Sequence, residues 1–168
     1  MTGDDAVAFL ARHLVTGWHL HTAHRDGVAA AVKRLAADGR GGGGHGRHYS
    51  VDGGKARLWI GPSGGEPVAV LPVRVLIEWA LARLGDDEAD ELARLIGERG
   101  AAVGRWDDLT RRTPRERLTP TDLATVRAAE VDQYRAEHAI REVADRVLAR
   151  DDTPAVGQLD LFAAAVPA

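Results

Sequence analysis

His48-Tyr49-Ser50-Val51-Asp52-Gly53-Gly54-Lys55-Ala56-Arg57-Leu58-Trp59-Ile60 is the stretch that decides the fold class. Residues that favour strands flank an Asp-Gly turn signal, the pattern of an antiparallel hairpin. A third run, Val68-Ala69-Val70-Leu71, follows the turn-rich Gly61-Pro62-Ser63-Gly64-Gly65. Residues 48–51, 56–60 and 68–71 are therefore expected to form a three-stranded antiparallel meander. On both sides of it the sequence reads as helix.

Upstream, Asp4 or Asp5 can cap a first helix, with Val7, Leu10, Leu14 and Val15 at helical spacing and an end near residue 17. A second helix near 24–38 presents Val28, Ala31, Val32 and Leu35, and Gly39 is placed to end it. Between that helix and the meander lies Gly39-Arg40-Gly41-Gly42-Gly43-Gly44-His45-Gly46. Glycine has no side chain to pack and loses the most backbone entropy on ordering, so 39–46 is expected to be a flexible loop.

Downstream, Pro72 suits the opening of a helix over 73–84, with Val75, Leu76, Trp79, Ala80 and Leu84 on its apolar face and Gly85 to stop it. Asp86 or Asp87 then caps a helix with Leu92, Leu95 and Ile96 turned inward, ending at Arg99-Gly100, and a short helix is expected around 106–109. Thr119-Pro120-Thr121-Asp122 is a capping-box start for the longest element, which runs to about residue 149, roughly 45 Å at 1.5 Å per residue. Its apolar stripe weakens at Gln133, so this helix is expected to project from the body or to pair with a partner. The expected class is α+β: a helix-rich single domain over 1–150 with a small meander and a long C-terminal helix, then a flexible tail over 151–168.

Composition narrows the function. The formal charge of −3 is unevenly spread: residues 1–60 carry eight Lys/Arg against five Asp/Glu and six of the seven His, whereas the remainder is acidic. Any contact with a polyanion is expected in the N-terminal third. With no Cys there are no disulfides, no thiolate zinc site and no Cys nucleophile. The acidic start Met1-Thr2-Gly3-Asp4-Asp5 is unlike a signal peptide, and no apolar run is long enough to cross a bilayer, so a cytoplasmic, non-membrane protein is expected. Twenty of the 22 basic residues are Arg, a bias that lowers the weight of any single Arg as a functional signal.

The most specific motif is Gln158-Leu159-Asp160-Leu161-Phe162, which follows the low-propensity stretch 151–157 and precedes only six residues. This pentapeptide resembles the Q-L-[S/D]-L-F motif by which bacterial polymerases, repair proteins and some mobile-element proteins dock on the β sliding clamp. The resemblance covers five residues of 168, and it implies a partner rather than a fold. It implies that Gln158 uses its amide at a polar subsite and that Leu159 anchors an extended segment. Leu161 and Phe162 would enter an apolar pocket, and Asp160 would face solvent or a basic rim. Each apolar side chain so buried is worth about 1.5–3 kcal/mol before ordering costs.

Other motifs carry less. Gly61-Pro62-Ser63-Gly64-Gly65 fits G-x-S-x-G but precedes a strand rather than a helix, so it reads as a hairpin turn. His19, His21 and His24 lack a recognised metal spacing, and Gly53-Gly54-Lys55 lacks the rest of a phosphate loop. Asp52, Glu66 and Lys55 are the only trio suggesting a metal-dependent nuclease. No catalytic residue, metal site or cofactor is assigned, and the reading leans away from an enzyme. Arg40, Arg47, Lys55 and Arg57 lie in or beside the glycine-rich stretch, with Tyr49 or Trp59 able to stack on a base, and form the candidate nucleic-acid contact. The expected function is an accessory protein of bacterial DNA replication or repair, or of a mobile element or phage, recruited to the β sliding clamp with DNA as a second partner. The alternative is a small DNA-binding transcriptional regulator or antitoxin-like module dimerising through its long C-terminal helix.

Overall fold

The computed structural model describes residues 2–44, 46–61 and 65–150. In chain order these form α1 (Gly3–Leu14), α2 (Gly17–Asp26), α3 (Val28–Asp38), β1 (Gly41–Gly44), β2 (Arg47–Asp52), β3 (Lys55–Ile60), β4 (Ala69–Pro72), α4 (Val73–Leu81), α5 (Asp86–Thr110) and α6 (Pro120–Leu148). The fold is α+β and helix-rich, with an antiparallel sheet and a long C-terminal helix. The peptide 158–162 lies outside the described residues.

The sheet has four strands, not three, in the order β1-β2-β3-β4. The additional strand comes from the glycine run expected to be a loop. Gly41, Gly42, Gly43 and Gly44 pair with Ser50, Tyr49, His48 and Arg47 in turn. The missing side chains are what admit this strand. A Cβ on Gly42 would lie 2.7 Å from Tyr49 Cζ, and one on Gly43 would lie 2.5 Å from His48 Nδ1. Tyr49 and His48 point to opposite faces of β2, so β1 is covered from both sides by its neighbour's side chains. Glycine costs about 0.5–1 kcal/mol relative to alanine when ordered in a strand. Ladder hydrogen bonds and this cover offset it. The β2–β3 hairpin turns at Gly53 and Gly54, both at positive φ (56° and 76°), as a type I′ turn requires.

Several helix boundaries differ from the sequence reading. The polar stretch 19–24 lies within α2, and Gly27 at φ 95° separates α2 from α3, so two helices stand where one was expected. Thr2, rather than Asp4 or Asp5, caps α1; its hydroxyl accepts from the Asp5 amide at 3.2 Å, and Asp5 accepts from the Thr2 amide at 2.9 Å. Gly85 precedes α5, with Glu88, not Asp86 or Asp87, accepting from its amide at 3.1 Å. α5 is one helix of 25 residues that passes through Gly97, Gly100 and Gly104. Packing along α6 carries it through these poor helix formers. The α6 start is as read: Thr119 and Asp122 exchange amide hydrogen bonds at 3.0 and 3.1 Å, with Pro120 in the first turn.

α5 and α6 form an antiparallel hairpin. Its cross-links run Glu91–Arg146 (2.5 Å), Arg99–Glu137 (2.7 Å) and Arg105–Asp132 (2.9 Å), numbers rising on one helix as they fall on the other. Mostly exposed pairs of this kind add little stability each, about 0–1 kcal/mol, but they fix the register. Leu92 and Leu95 of α5 and Ile140, Val143, Val147 and Leu148 of α6 join a core with Leu10, Leu14, Leu20, Leu35, Leu76 and Ile77. Val51, Ala56 and Leu58 bring the inner face of the sheet into the same core, against α1 and α4. Beyond the core the hairpin continues on its own small contacts, with Ala102, Val126 and Ala129 buried.

Candidate nucleic-acid interface

The pairing register decides which residues share a face. Trp59 pairs with His48, Arg57 with Ser50 and Val70, and Lys55 with Asp52 and Pro72. These side chains stand on the face opposite buried Val51, Ala56 and Leu58. The outer face therefore carries a tryptophan, a histidine, two cations and a half-exposed valine beside a strip of bare glycine backbone. The Trp59 indole is tied down, its Nε1–H donating to Gly65 O at 2.9 Å. Arg57 lies 3.3 Å from Asp52, which leaves Lys55 the less committed cation.

The structure brings only part of the sequence-derived patch together. Lys55 and Arg57 share the outer face. Arg47 belongs to the inner face near its end, where its guanidinium lies 5.0 Å from the Phe9 ring centre. Arg40 sits between α3 and β1, 3.9 Å from Asp38. Of the two aromatics, Trp59 faces outward with the cations, while Tyr49 packs 5.0 Å from His13 and 6.2 Å from Phe9 on the inner side. Of the four cations, the structure therefore groups Lys55 and Arg57 on the outer face, with Trp59 and His48 beside them, and places Arg40 and Arg47 elsewhere. Strand alternation separates Arg47 from that pair.

A polar row escaped the sequence reading. His19 is fully buried. Its Nδ1 accepts from the Thr16 amide at 3.0 Å, so the ring proton sits on Nε2 and is donated to Asp38 Oδ2 at 2.9 Å. The Thr16 hydroxyl is also 3.0 Å from Nδ1. Hydroxyl, imidazole and carboxylate in a row suggest an activated nucleophile. Here the imidazole has no accessible edge and its acceptor is shared with a backbone amide. The row instead caps α2 and clasps its start to the end of α3. Burial pushes the His19 pKa down to about 4, with Asp38 opposing the shift. The sequence signal was Thr16 with His19 three positions on, a helix-start spacing.

His21 and His24 lie on α2 with His19, and no group of three metal-ligating side chains occurs among the described residues. Ser63 lies outside the described residues, in the connection between β3 and β4 rather than before a helix. No helix among the described residues is long and apolar enough to cross a membrane. No family model, curated protein or solved structure matches the chain.

Proposed function

We propose that this chain is an accessory protein of bacterial DNA replication or repair, or of a mobile element or phage, recruited to the β sliding clamp by Gln158, Leu159, Asp160, Leu161 and Phe162. The observation that carries the reading is the five-position match of that peptide to the clamp-docking motif, with α6 ending only ten residues before it at Leu148. The outer sheet face adds to it. Trp59, His48, Lys55 and Arg57 combine a stacking surface with cations, which suits weak, sequence-tolerant contact with a nucleic-acid strand. Tethering such a weak contact to a ring that encircles DNA raises its effective concentration without a strongly basic domain.

The regulator or antitoxin-like alternative is less favoured. It relied on a long helix in need of a partner, and the apolar stripe of α6 is buried against α5 and the core within one chain. The deciding experiment is capture of purified bacterial clamp by the full chain and by its Leu161→Ala/Phe162→Ala variant. Docking predicts loss of capture with an unchanged thermal midpoint. A large fall in that midpoint would assign the peptide to the protein's own core and sink the proposal.

A further inference from the structure

β1 is an edge of the sheet, and among the described residues only β2 pairs with it. All four of its residues are exposed. The Val51 amide donates to Arg40 O at 2.8 Å, which fixes the alternation of the ladder. Arg40, Gly42 and Gly44 therefore turn their backbone groups towards β2, while Gly41 and Gly43 turn theirs away from it. The outer edge thus presents two N–H and two C=O groups without ladder partners among the described residues. Sheet edges are commonly guarded by charged side chains, proline or a bulge, whereas β1 has glycine at every position. Side chains of β2 extend over this bare backbone. Tyr49 lies over Gly42 on the inner face and His48 over Gly43 on the outer, so close that a Cβ at either glycine would collide with them. Phe9 and His13 continue the inner cluster beside Tyr49. A strand laid along β1 would bond through its backbone and set alternate side chains against these rings, the two components of strand addition.

The occupant that fits is the chain's own C-terminal segment. Leu148 O, at the end of α6, accepts from Arg12 Nε–H at 2.9 Å, and Arg12, His13, Arg40 and Asp145 border one cleft of about 330 Å³. The last turns of α6 and the residue before β1 are therefore neighbours. Residues 151–157, at about 3.3–3.6 Å each when extended, reach roughly 23–25 Å, enough to carry 158–162 to the edge. In Gln158-Leu159-Asp160-Leu161-Phe162 the alternation puts Leu159 and Leu161 on one side of a strand. Charge agrees: residues 151–168 carry Asp151, Asp152 and Asp160 and no Lys or Arg, whereas Arg40 precedes β1 and Arg47 pairs with its last residue. A second copy meeting β1 strand to strand would bury little beyond four glycines a side, short of the roughly 1,200 Å² that a stable interface needs. It would also set the arginines of both chains about one seam.

We propose that residues 158–162 add to β1 as a further strand, with Leu159 and Leu161 against Tyr49 and Phe9, so that the chain covers its own docking peptide until the clamp displaces it. The covering rests on the clamp reading of that peptide; the strand pairing does not. Hydrogen exchange by NMR on the full chain without clamp tests the pairing. The Gly41 and Gly43 amides should exchange roughly tenfold more slowly in wild type than in a Leu159→Ala/Leu161→Ala variant, with the Tyr49 and Val51 amides alike in both. Equal exchange at Gly41 and Gly43 would overturn the inference. So would protection that grows with protein concentration, which assigns the edge to a second copy. Capture of purified clamp by a Gly41→Pro variant tests the covering. This proline removes an outward donor and no ladder bond, and its Cβ meets nothing nearer than Tyr49 O at 3.4 Å. It should speed exchange at Gly43 and strengthen capture up to about tenfold, by releasing the covered peptide. Unchanged capture would overturn the covering. If neither protein captures clamp while Gly41 and Gly43 are protected in wild type, the clamp reading fails and the pairing stands.

Discussion

Acidification should loosen the clasp that joins α2 to α3. His19 is fully enclosed, and its Nδ1 must stay unprotonated to accept the Thr16 amide. A proton placed there would face another N–H. Burial is the largest cause of its low pKa, about 4 against an ordinary 6.5, and the neighbouring Asp38 recovers only part of the cost. Because the folded value is the lower one, the unfolded chain takes up the proton first as pH falls. The stability held by this group is complete above about pH 6.5 and drains away as pH drops towards about 4. At 1.36 kcal/mol for each tenfold change in the equilibrium, the loss between pH 7 and pH 5 is about 2 kcal/mol. Urea unfolding at those two pH values, for wild type and His19→Gln, measures it. The variant should begin weaker, having lost a buried hydrogen-bond network, yet show a shallower dependence by about that amount. Carboxylates that make no contact with His19 are common to both proteins and cancel. A His19 ring titrating near its ordinary pKa by NMR, or equal pH dependence in the two proteins, would refute the reasoning.

Gly42→Ala sets a Cβ against the Tyr49 ring and should unpair β1, seen as faster hydrogen exchange at Tyr49 and Val51, whereas Gly44→Ala, with open space around it, should leave exchange unchanged. Replacing Trp59 with Ala should weaken single-stranded DNA binding by about 1–3 kcal/mol, the usual worth of one stacked base, with little change in unfolding midpoint. Retained affinity would remove the sheet face from consideration. Incubation with DNA in Mg²⁺ or Mn²⁺ should produce no cleavage, since Asp52 faces Arg57 and no metal-ligating cluster surrounds it among the described residues. Cleavage abolished by Asp52→Ala would contradict that.

Local chemistry made much of the fold legible. The Thr119-Pro120-Thr121-Asp122 start, the Asp52-Gly53-Gly54-Lys55 turn and the apolar spacing of α1 and α4 act within a few residues, so the chain alone specifies them. The docking proposed for 158–162 is of the same kind, because it rests on five consecutive side chains. What needed tertiary structure were the features whose partners lie far along the chain. Four glycines become a strand only because Tyr49 and His48 lie across them, and α5 crosses three glycines because α6 runs beside it. Arg47 parts from Lys55 and Arg57 because strand pairing, not sequence proximity, assigns each side chain a face. His19 meets Asp38, and Arg105 meets Asp132, only when packing brings separate elements together. Backbone preference is set by near neighbours, whereas burial, charge balance and the face each side chain occupies depend on contacts that the linear order of residues does not contain.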